Sequence, residues 1–331
     1  MRHRERPVET ILEPVMVSSA MKRLDRVLRS VADKDVVVCL IGESGSGKDV
    51  IARRIHELSP RRGKPFAPIN CAAIPESLFE SELFGHERGA FTGATQLARG
   101  KIEAASGGSL FLDEIGELPM PMQAKLLRFL ENRRFTRVGG TDKIEADVRP
   151  ICATHHPLDE EVRRGAFRAD LFYRIQVITL RIPPLRERKS DLLPLIRELM
   201  TELSHKHAVP APELGRQALA ALRNYSWPGN VRELRNVVEQ LCLLRPGKTV
   251  RISDLPASIV AGGSSPSISP VSPPPPTVTV RLDRPLHESV DEIIAAAVAL
   301  DGGNRSAAAR RLGIGLRTVQ RRLGESTPST R

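Results

Sequence analysis

The sequence predicts an α/β fold, a parallel sheet flanked by helices, followed by an α-helical subdomain and a small all-α unit. Three observations carry that prediction. Short apolar runs alternate with amphipathic stretches through the first half of the chain, and from about Pro184 the pattern becomes helical throughout. The stretch AGGSSPSISPVSPPPPTVTV (261–280) then interrupts it with no charge and no helical period, so it reads as an extended linker. The expected divisions are 1–16 for an N-terminal extension, 17–183 for the α/β core, 184–259 for the helical subdomain, 260–284 for the linker and 285–331 for the terminal unit.

The first helix is SSAMKRLDRVLRSVA. The strand candidates are DVVVCLI (35–41), KPFAPIN (64–70), GSLFLDE (108–114), VRPICAT (148–154) and QVITLRI (176–182). Near-continuous apolar strands separated by helices belong to parallel sheets covered on both faces. With 331 residues, 40% of them hydrophobic, the chain can fill more than one core. Its net charge of +11 favours a polyanionic partner. Cys39, Cys71, Cys152 and Cys242 lie far apart with no CxxC pair, which argues against a zinc site or disulfides and for a reduced cytosol. The start, MRHRERPVET, lacks the apolar core of a signal peptide. No apolar run approaches the ~20 residues that span a bilayer. The expectation is a cytoplasmic protein with no membrane partner.

Between the first strand and the helix KDVIARRIHELS lies GESGSGKD (42–49). Strand, glycine loop and helix form the context of a phosphate-binding loop. Amide groups of Gly42, Glu43, Ser44, Gly45, Ser46 and Gly47 face the phosphates there, and Lys48 reaches the β and γ oxygens. Asp49 stands where a serine or threonine hydroxyl usually touches magnesium. The metal must then lean on another carboxylate. SLFLDE supplies one at a strand end: Asp113 suits a magnesium contact, and Glu114 can orient or deprotonate an attacking water. Together these residues argue for nucleoside-triphosphate hydrolysis with magnesium.

Two further stretches need separate accounts. HERGAFTGA (86–94) contains Gly89 and Gly93, which resist helix and strand, yet it presents Phe91 and Thr92 as if held out. NRSAAARRLGIGLRTVQRRLG (304–324) reads as helix, tight turn, helix, with no acid within 302–324. Ala307, Ala308 and Leu312 line the first helix, Gly313 suits a left-handed cap, and Val319 and Leu323 line the second. Arg317, Gln320 and Arg321 then face outward, with Arg305, Arg310, Arg311 and Arg322 adding charge. Arginine reads guanine and glutamine reads adenine, while the remaining arginines suit phosphates.

With these residues assembled, the chain resembles the sigma-54-dependent bacterial transcription activators, or enhancer-binding proteins, of the AAA+ ATPase superfamily, from about Val17 to Ile259, with a Fis-type helix-turn-helix after the linker. GAFTGA, formed by Gly89, Ala90, Phe91, Thr92, Gly93 and Ala94, is the family hallmark. ESELFGHERGAFTGA, LFLDEIGELP, RFTRVGG, FRADLFYRI, IPPLRER and WPGNVREL agree as well. The resemblance implies a hexameric ring that hydrolyses ATP at subunit interfaces, with an AAA+ core and helical lid. Asn70 matches the asparagine that pairs with the catalytic Glu114 as a nucleotide-state switch, and Thr154 falls at sensor I. Arg168 and Arg174 match arginines offered to a neighbouring subunit's nucleotide, and Arg232 matches sensor II. The 89–94 loop becomes the contact for sigma-54 in its RNA polymerase holoenzyme. The terminal unit becomes an upstream-DNA reader that dimerises, with VDEIIAAAVAL (290–300) as a packing helix.

The family's usual P-loop glutamate is Asp49 here, and His155 follows Thr154 where asparagine is usual. An AAA+ unfoldase or chaperone would share the P-loop, acidic pair and arginine fingers, but not GAFTGA or the Fis-type tail. A DNA-binding repressor with a decayed ATPase domain would not be expected to keep Lys48, Asp113, Glu114 and Arg168. The residues before Val17 are too few for a sensory domain, so control is expected from a separate regulatory protein or from expression level.

Overall fold

Strands β1 (Val38–Ile41), β2 (Phe66–Asn70), β3 (Ser109–Asp113), β4 (Arg149–Thr154) and β5 (Ile178–Arg181) form one sheet in the order β2-β3-β4-β1-β5. Every neighbouring pair is parallel. Each strand lies inside its expected run but is shorter, and residues 35–37 and 176–177 stay outside the sheet. The computed structural model describes residues 14–261 and 286–324. The expected linker falls almost wholly outside the described residues, as do most of the N-terminal extension and 325–331. The chain divides into two units, Met1–Ser265 and Pro266–Arg331.

Side chains alternate across the sheet, and both faces are buried. Val38, Leu40, Phe111, Ile151, Ala153 and Leu180 pack with helices α1 (Ser19–Ala32) and α2 (Lys48–Glu57). Cys39, Ile69, Leu110, Leu112 and Cys152 point into the opposite core, against helices that include Glu76–Phe84 and Met120–Asn132. In α1, Met21, Leu24, Leu28 and Val31 recur at helical spacing to form the buried stripe. The buried Arg149 guanidinium opens β4 and donates to the carbonyls of Val31, at 2.9 Å, and Ala32. A positive charge thus meets the carbonyl end of α1 and fixes that helix to the sheet. All four cysteines are free and buried, and burial pushes the Cys39 and Cys71 thiols up to about 12.

The region expected to be wholly helical contains helices Lys189–Lys206, Arg216–Asn224, Asn230–Leu244 and Ala257–Val260. It departs from expectation in one place: Glu213–Leu214 and Thr249–Val250 pair as a short parallel ribbon, which seats Val250 in the subdomain core. Trp227 anchors that core, its indole N–H donating to Leu222 O at 3.0 Å and its ring edge-on to Tyr225. The second unit is a three-helix cluster of Leu286–Leu300, Arg305–Leu312 and Leu316–Gly324 around Ile294, Ala309 and Val319. Among the described residues, no helix is long and apolar enough to cross a membrane.

Candidate functional site

The glycine loop follows β1 and delivers Gly47 to the N-terminus of α2. Gly42 N donates to Thr154 O at 3.2 Å, tying the loop to β4. Gly45, at φ 71°, accepts from Val231 N at 2.9 Å, and a Cβ there would lie 2.5 Å from Gly229 O. The helical subdomain holds the loop elsewhere too. Arg186 grips both Glu43 carboxylate oxygens at 2.8 and 2.6 Å, and Asn230 Nδ2 reaches Glu43 and Ser44 O, each at 3.1 Å. Arg232 donates to Ser44 Oγ at 2.7 Å, and the buried Arg188 to Ser46 O at 2.7 Å. The Arg186 hydrogen bond lowers the Glu43 pKa against a modest burial penalty. Arg186, Arg188 and Asn230 lie within IPPLRER and WPGN, so the signal was present, but their partners are distant in sequence and no role was assigned to them.

The lysine and the acids meet at the end of β3. Lys48 is buried; its Nζ donates to Gly42 O at 3.0 Å and lies 3.2 Å from Glu114 Oε1. Glu114 adopts a left-handed backbone, φ 53° and ψ 51°, which costs roughly 1–2 kcal/mol for a residue with a Cβ. Such strain is concentrated at functional sites. The other carboxylate oxygen, Oε2, accepts from His155 N at 3.2 Å and lies 2.6 Å from His155 Nδ1. Partial burial opposes ionisation of Glu114, but the His155 hydrogen bond and the Lys48 charge outweigh it and lower the pKa. Asp113 shifts upward: burial and the Glu114 charge exceed the help from Lys48.

Two implied roles meet a different geometry. Asn70 stands beside Asp113 in register, but its Oδ1 accepts from Ala72 N at 3.0 Å, while Glu114 is held by Lys48 and His155. The expected pairing of Asn70 with Glu114 is therefore not made in this structure, because each side chain has a nearer partner. Thr154 is fully buried and its hydroxyl accepts from His156 N at 3.0 Å, so the side chain reaching Glu114 from the end of β4 is His155. Arg168 pairs with Asp170 at 2.7 Å, and Arg174 donates to Leu130 O at 2.9 Å. Neither contact involves a P-loop residue, whereas Arg232 donates to Ser44 within that loop.

Among the described residues no three potential ligands cluster around a metal position. Asp113 offers one carboxylate, with the Glu114 and Asp49 charges raising its pKa, a repulsion that a divalent cation would relieve. One carboxylate supplemented by nucleotide phosphates is a usual way to hold magnesium, and the residues fit it.

The Phe91 loop is anchored at its base and bonded to itself at its tip. Gly85–His86 pairs with Ala98–Arg99, and Glu87 N donates to Val138 O at 3.0 Å. Arg137 bridges Glu87, at 2.8 Å, and Glu103, at 2.9 Å, locking the loop to the hairpin that carries RFTRVGG. At the tip, Gly89 N donates to Ala94 O at 2.8 Å and Ala94 N to Phe91 O at 3.0 Å. Ala90, Thr92 and Gly93 complete the turn, and Ala94 is buried beneath it. Phe91 is 41% exposed, its ring lying edge-on to His86 at 4.9 Å.

In the terminal unit Gly313 does cap its helix in the left-handed region, φ 65°. Arg305, Arg310, Arg317, Gln320 and Arg321 are exposed, as a nucleic-acid face requires. Arg311 and Arg322 have acidic partners within the unit: Arg311 Nε donates to Asp301 at 3.1 Å and Arg322 lies 3.4 Å from Asp291, contacts that link its helices. The buried pair on the first helix is Ala308 and Ala309, with Ala307 half-buried. Ile294 and Ala297 of the expected packing helix are buried within the unit itself.

Fold and site together define a P-loop ATPase of the AAA+ class. Residues 15–181 match the Sigma-54 interaction domain, 186–269 the AAA+ ATPase lid domain, and 291–325 the Bacterial regulatory protein, Fis family. The chain is similar to the response regulator protein PilR of Pseudomonas aeruginosa, 42% identical over 306 residues that cover 92% of this chain and 68% of PilR. It is also similar to the transcriptional regulatory protein ZraR of Klebsiella oxytoca, 43% identical over 306 residues, covering 92% of this chain and 67% of ZraR. NtrX from Brucella abortus, solved in complex with ADP, superposes with a TM-score of 0.69 at 33% identity, over 95% of this chain and 68% of that one. The chain belongs to the sigma-54-dependent transcriptional activators: it is an ATPase with a Fis-type DNA-binding domain.

Proposed function

We propose that Lys48, Asp113 and Glu114 form the hydrolytic centre of a cytoplasmic activator, with ATP held by residues 42–49. The observation that supports this most is the 3.2 Å Lys48–Glu114 pair, which joins the glycine loop to the end of β3. When nucleotide enters, Lys48 turns from Glu114 and Gly42 O to the β and γ phosphate oxygens. Magnesium, held by Asp113, would neutralise charge on those oxygens. Water attacks the γ phosphorus, the bond to the β–γ bridging oxygen breaks, and Glu114 takes the water's proton, leaving ADP and phosphate.

Arg168 and Arg174 serve the nucleotide of a neighbouring copy in a hexameric ring, where they stabilise charge developing on the transferred group. Arg168 must leave Asp170 to do so, an exposed pair that exchanges readily. Asn70 exchanges Ala72 for Glu114 in another nucleotide state, Thr154 supports the end of β4 as sensor I, and Arg232 reports the nucleotide to the lid. Residues 89–94 engage sigma-54 in the polymerase holoenzyme. Arg305, Arg310, Arg317, Gln320 and Arg321 read upstream DNA from a dimer of terminal units.

Lys48→Ala should abolish ATP binding by the full-length chain. Glu114→Gln should keep ATP binding and lower steady-state hydrolysis by roughly 10²–10⁴-fold, the range for loss of a general base. Undiminished turnover by Glu114→Gln would contradict the assignment.

A further inference from the structure

A cleft of about 530 Å³ lies between helices Glu76–Phe84 and Met120–Asn132 and the hairpin that pairs Arg134–Phe135 with Ile144–Glu145. None of its lining residues belongs to the glycine loop or the acidic pair. The floor is apolar: Phe84 and Phe135 are buried, with ring centroids 6.0 Å apart. The walls are cationic, since Lys125, Arg128, Arg134 and Lys143 share the cleft with a single carboxylate, Glu80. Glu80 pairs with Lys125, and Arg134 pairs with Glu145 at 3.1 Å, a largely exposed contact of little strength. Among the described residues no carboxylate pairs with Arg128 or Lys143, and both are exposed. The carbonyl end of helix Met120–Asn132 opposes an anion here. Its carbonyls are partly taken up, however: Phe129 O accepts from Arg133 N at 2.8 Å and Leu130 O from Arg174 at 2.9 Å.

The cleft has the size of a metabolite site, which runs to about 300–1,000 Å³. A guanidinium fork beside an ammonium matches phosphate oxygens, and the two phenylalanines offer an apolar surface to a carbon skeleton. The position gives such a ligand a lever. Phe84 ends its helix immediately before Gly85, and Phe135 stands two residues before Arg137, which holds Glu87 and Glu103. Val138 N donates to Gly85 O at 2.9 Å, so two walls of the cleft meet at the anchors of the Phe91 loop. We propose that this cleft binds a small organic phosphate, with Arg128 and Lys143 on the phosphate and the carbon skeleton over Phe84 and Phe135. The bound molecule ties the hairpin to helix Glu76–Phe84 and steadies the base of the Phe91 loop.

Pyridoxal 5′-phosphate is the probe, because it joins a phosphate, an aromatic ring and an aldehyde. The aldehyde condenses with a lysine ε-amine, releasing water, and borohydride then delivers hydride to the imine, which fixes the label for peptide mapping. On the full-length chain, Lys143 should be labelled at least about tenfold faster than by pyridoxal, which lacks the phosphate; Arg128→Ala should remove most of that advantage, as expected for loss of a charge-assisted hydrogen bond. The unreactive pyridoxine 5′-phosphate should protect Lys143 at concentrations where inorganic phosphate does not. At ten times its Kd it should also slow proteolysis within 86–97 by up to about tenfold. Lys22 and Lys64, exposed and outside the cleft, set the background, and labelling of Lys48 is read on its own peptide. None of these readouts requires ATP hydrolysis, so they stand apart from the assignment of the hydrolytic centre. Labelling of Lys143 no faster than of Lys22 and Lys64, equal labelling by pyridoxal, or an undiminished rate in Arg128→Ala would each overturn the proposal. So would protection by inorganic phosphate as full as by pyridoxine 5′-phosphate, or unchanged proteolysis of the protected chain.

Discussion

The glycine loop at 42–49 and the Phe91 loop at 86–97 are both glycine-rich, yet the fold treats them oppositely. The first is pinned on several sides, by β4 through Thr154 and by the lid through Val231, Asn230, Arg186, Arg188 and Arg232. The second is hydrogen-bonded to its surroundings at its base, through its ribbon, Val138 and Arg137, and Ala90 packs on Gly139, while the backbone of Gly89, Phe91 and Ala94 bonds within the turn. Gly45 and Gly93 differ in the same sense. A Cβ on Gly45 would meet Gly229 O at 2.5 Å, whereas one on Gly93, φ 106°, would meet nothing within 4 Å. Gly45 permits close approach; Gly93, like Gly47 in the first loop, permits a turn in open space. Fixed dipoles suit charge stabilisation, and sparse anchoring suits an element that must move.

Matched alanine substitutions test this contrast most severely. Gly45→Ala violates both space and backbone angle, and should strip ATP binding and cost about 1–3 kcal/mol of stability. Gly93→Ala violates the angle alone, and should cost about 1–2 kcal/mol while leaving ATP binding unchanged. Thermal unfolding with and without ATP reads both, and loss of ATP binding in Gly93→Ala would break the distinction. Arg137→Ala should have a smaller effect on the fold, no more than about 1 kcal/mol for a partly exposed network. It should leave ATP hydrolysis within about twofold, as expected for separate sites, and quicken proteolysis within 86–97. Slowed hydrolysis with an undisturbed loop would reverse the assignment of Arg137 to the loop's base.

This contrast also marks how far the sequence could be read. The glycine loop, Lys48 and the strand ending in Asp113 and Glu114 were legible because each is a local pattern: a strand, a turn and a helix start within a few residues. The left-handed backbone of Glu114 was not, since nothing about glutamate announces it. Strand order was equally hidden, because it depends on crossovers rather than on any one strand. Contacts closed by distant partners escaped as well: Asp191 accepts from Ser18 Oγ at 2.7 Å, and Arg188 reaches Ser46. In the terminal unit the outward Arg317, Gln320 and Arg321 followed from helical periodicity. The capture of Arg311 and Arg322 did not, because Asp301 and Asp291 precede the acid-free window that made all the arginines look alike.

The central claim is that hydrolysis at Lys48 and Glu114 is the source of work and that Phe91 and Thr92 deliver it. The most direct test measures ATP hydrolysis and sigma-54-dependent open-complex formation side by side in Phe91→Ala and Thr92→Ala. The account predicts hydrolysis and DNA binding close to the unsubstituted chain, with open-complex formation abolished. Normal promoter opening by both variants would contradict it.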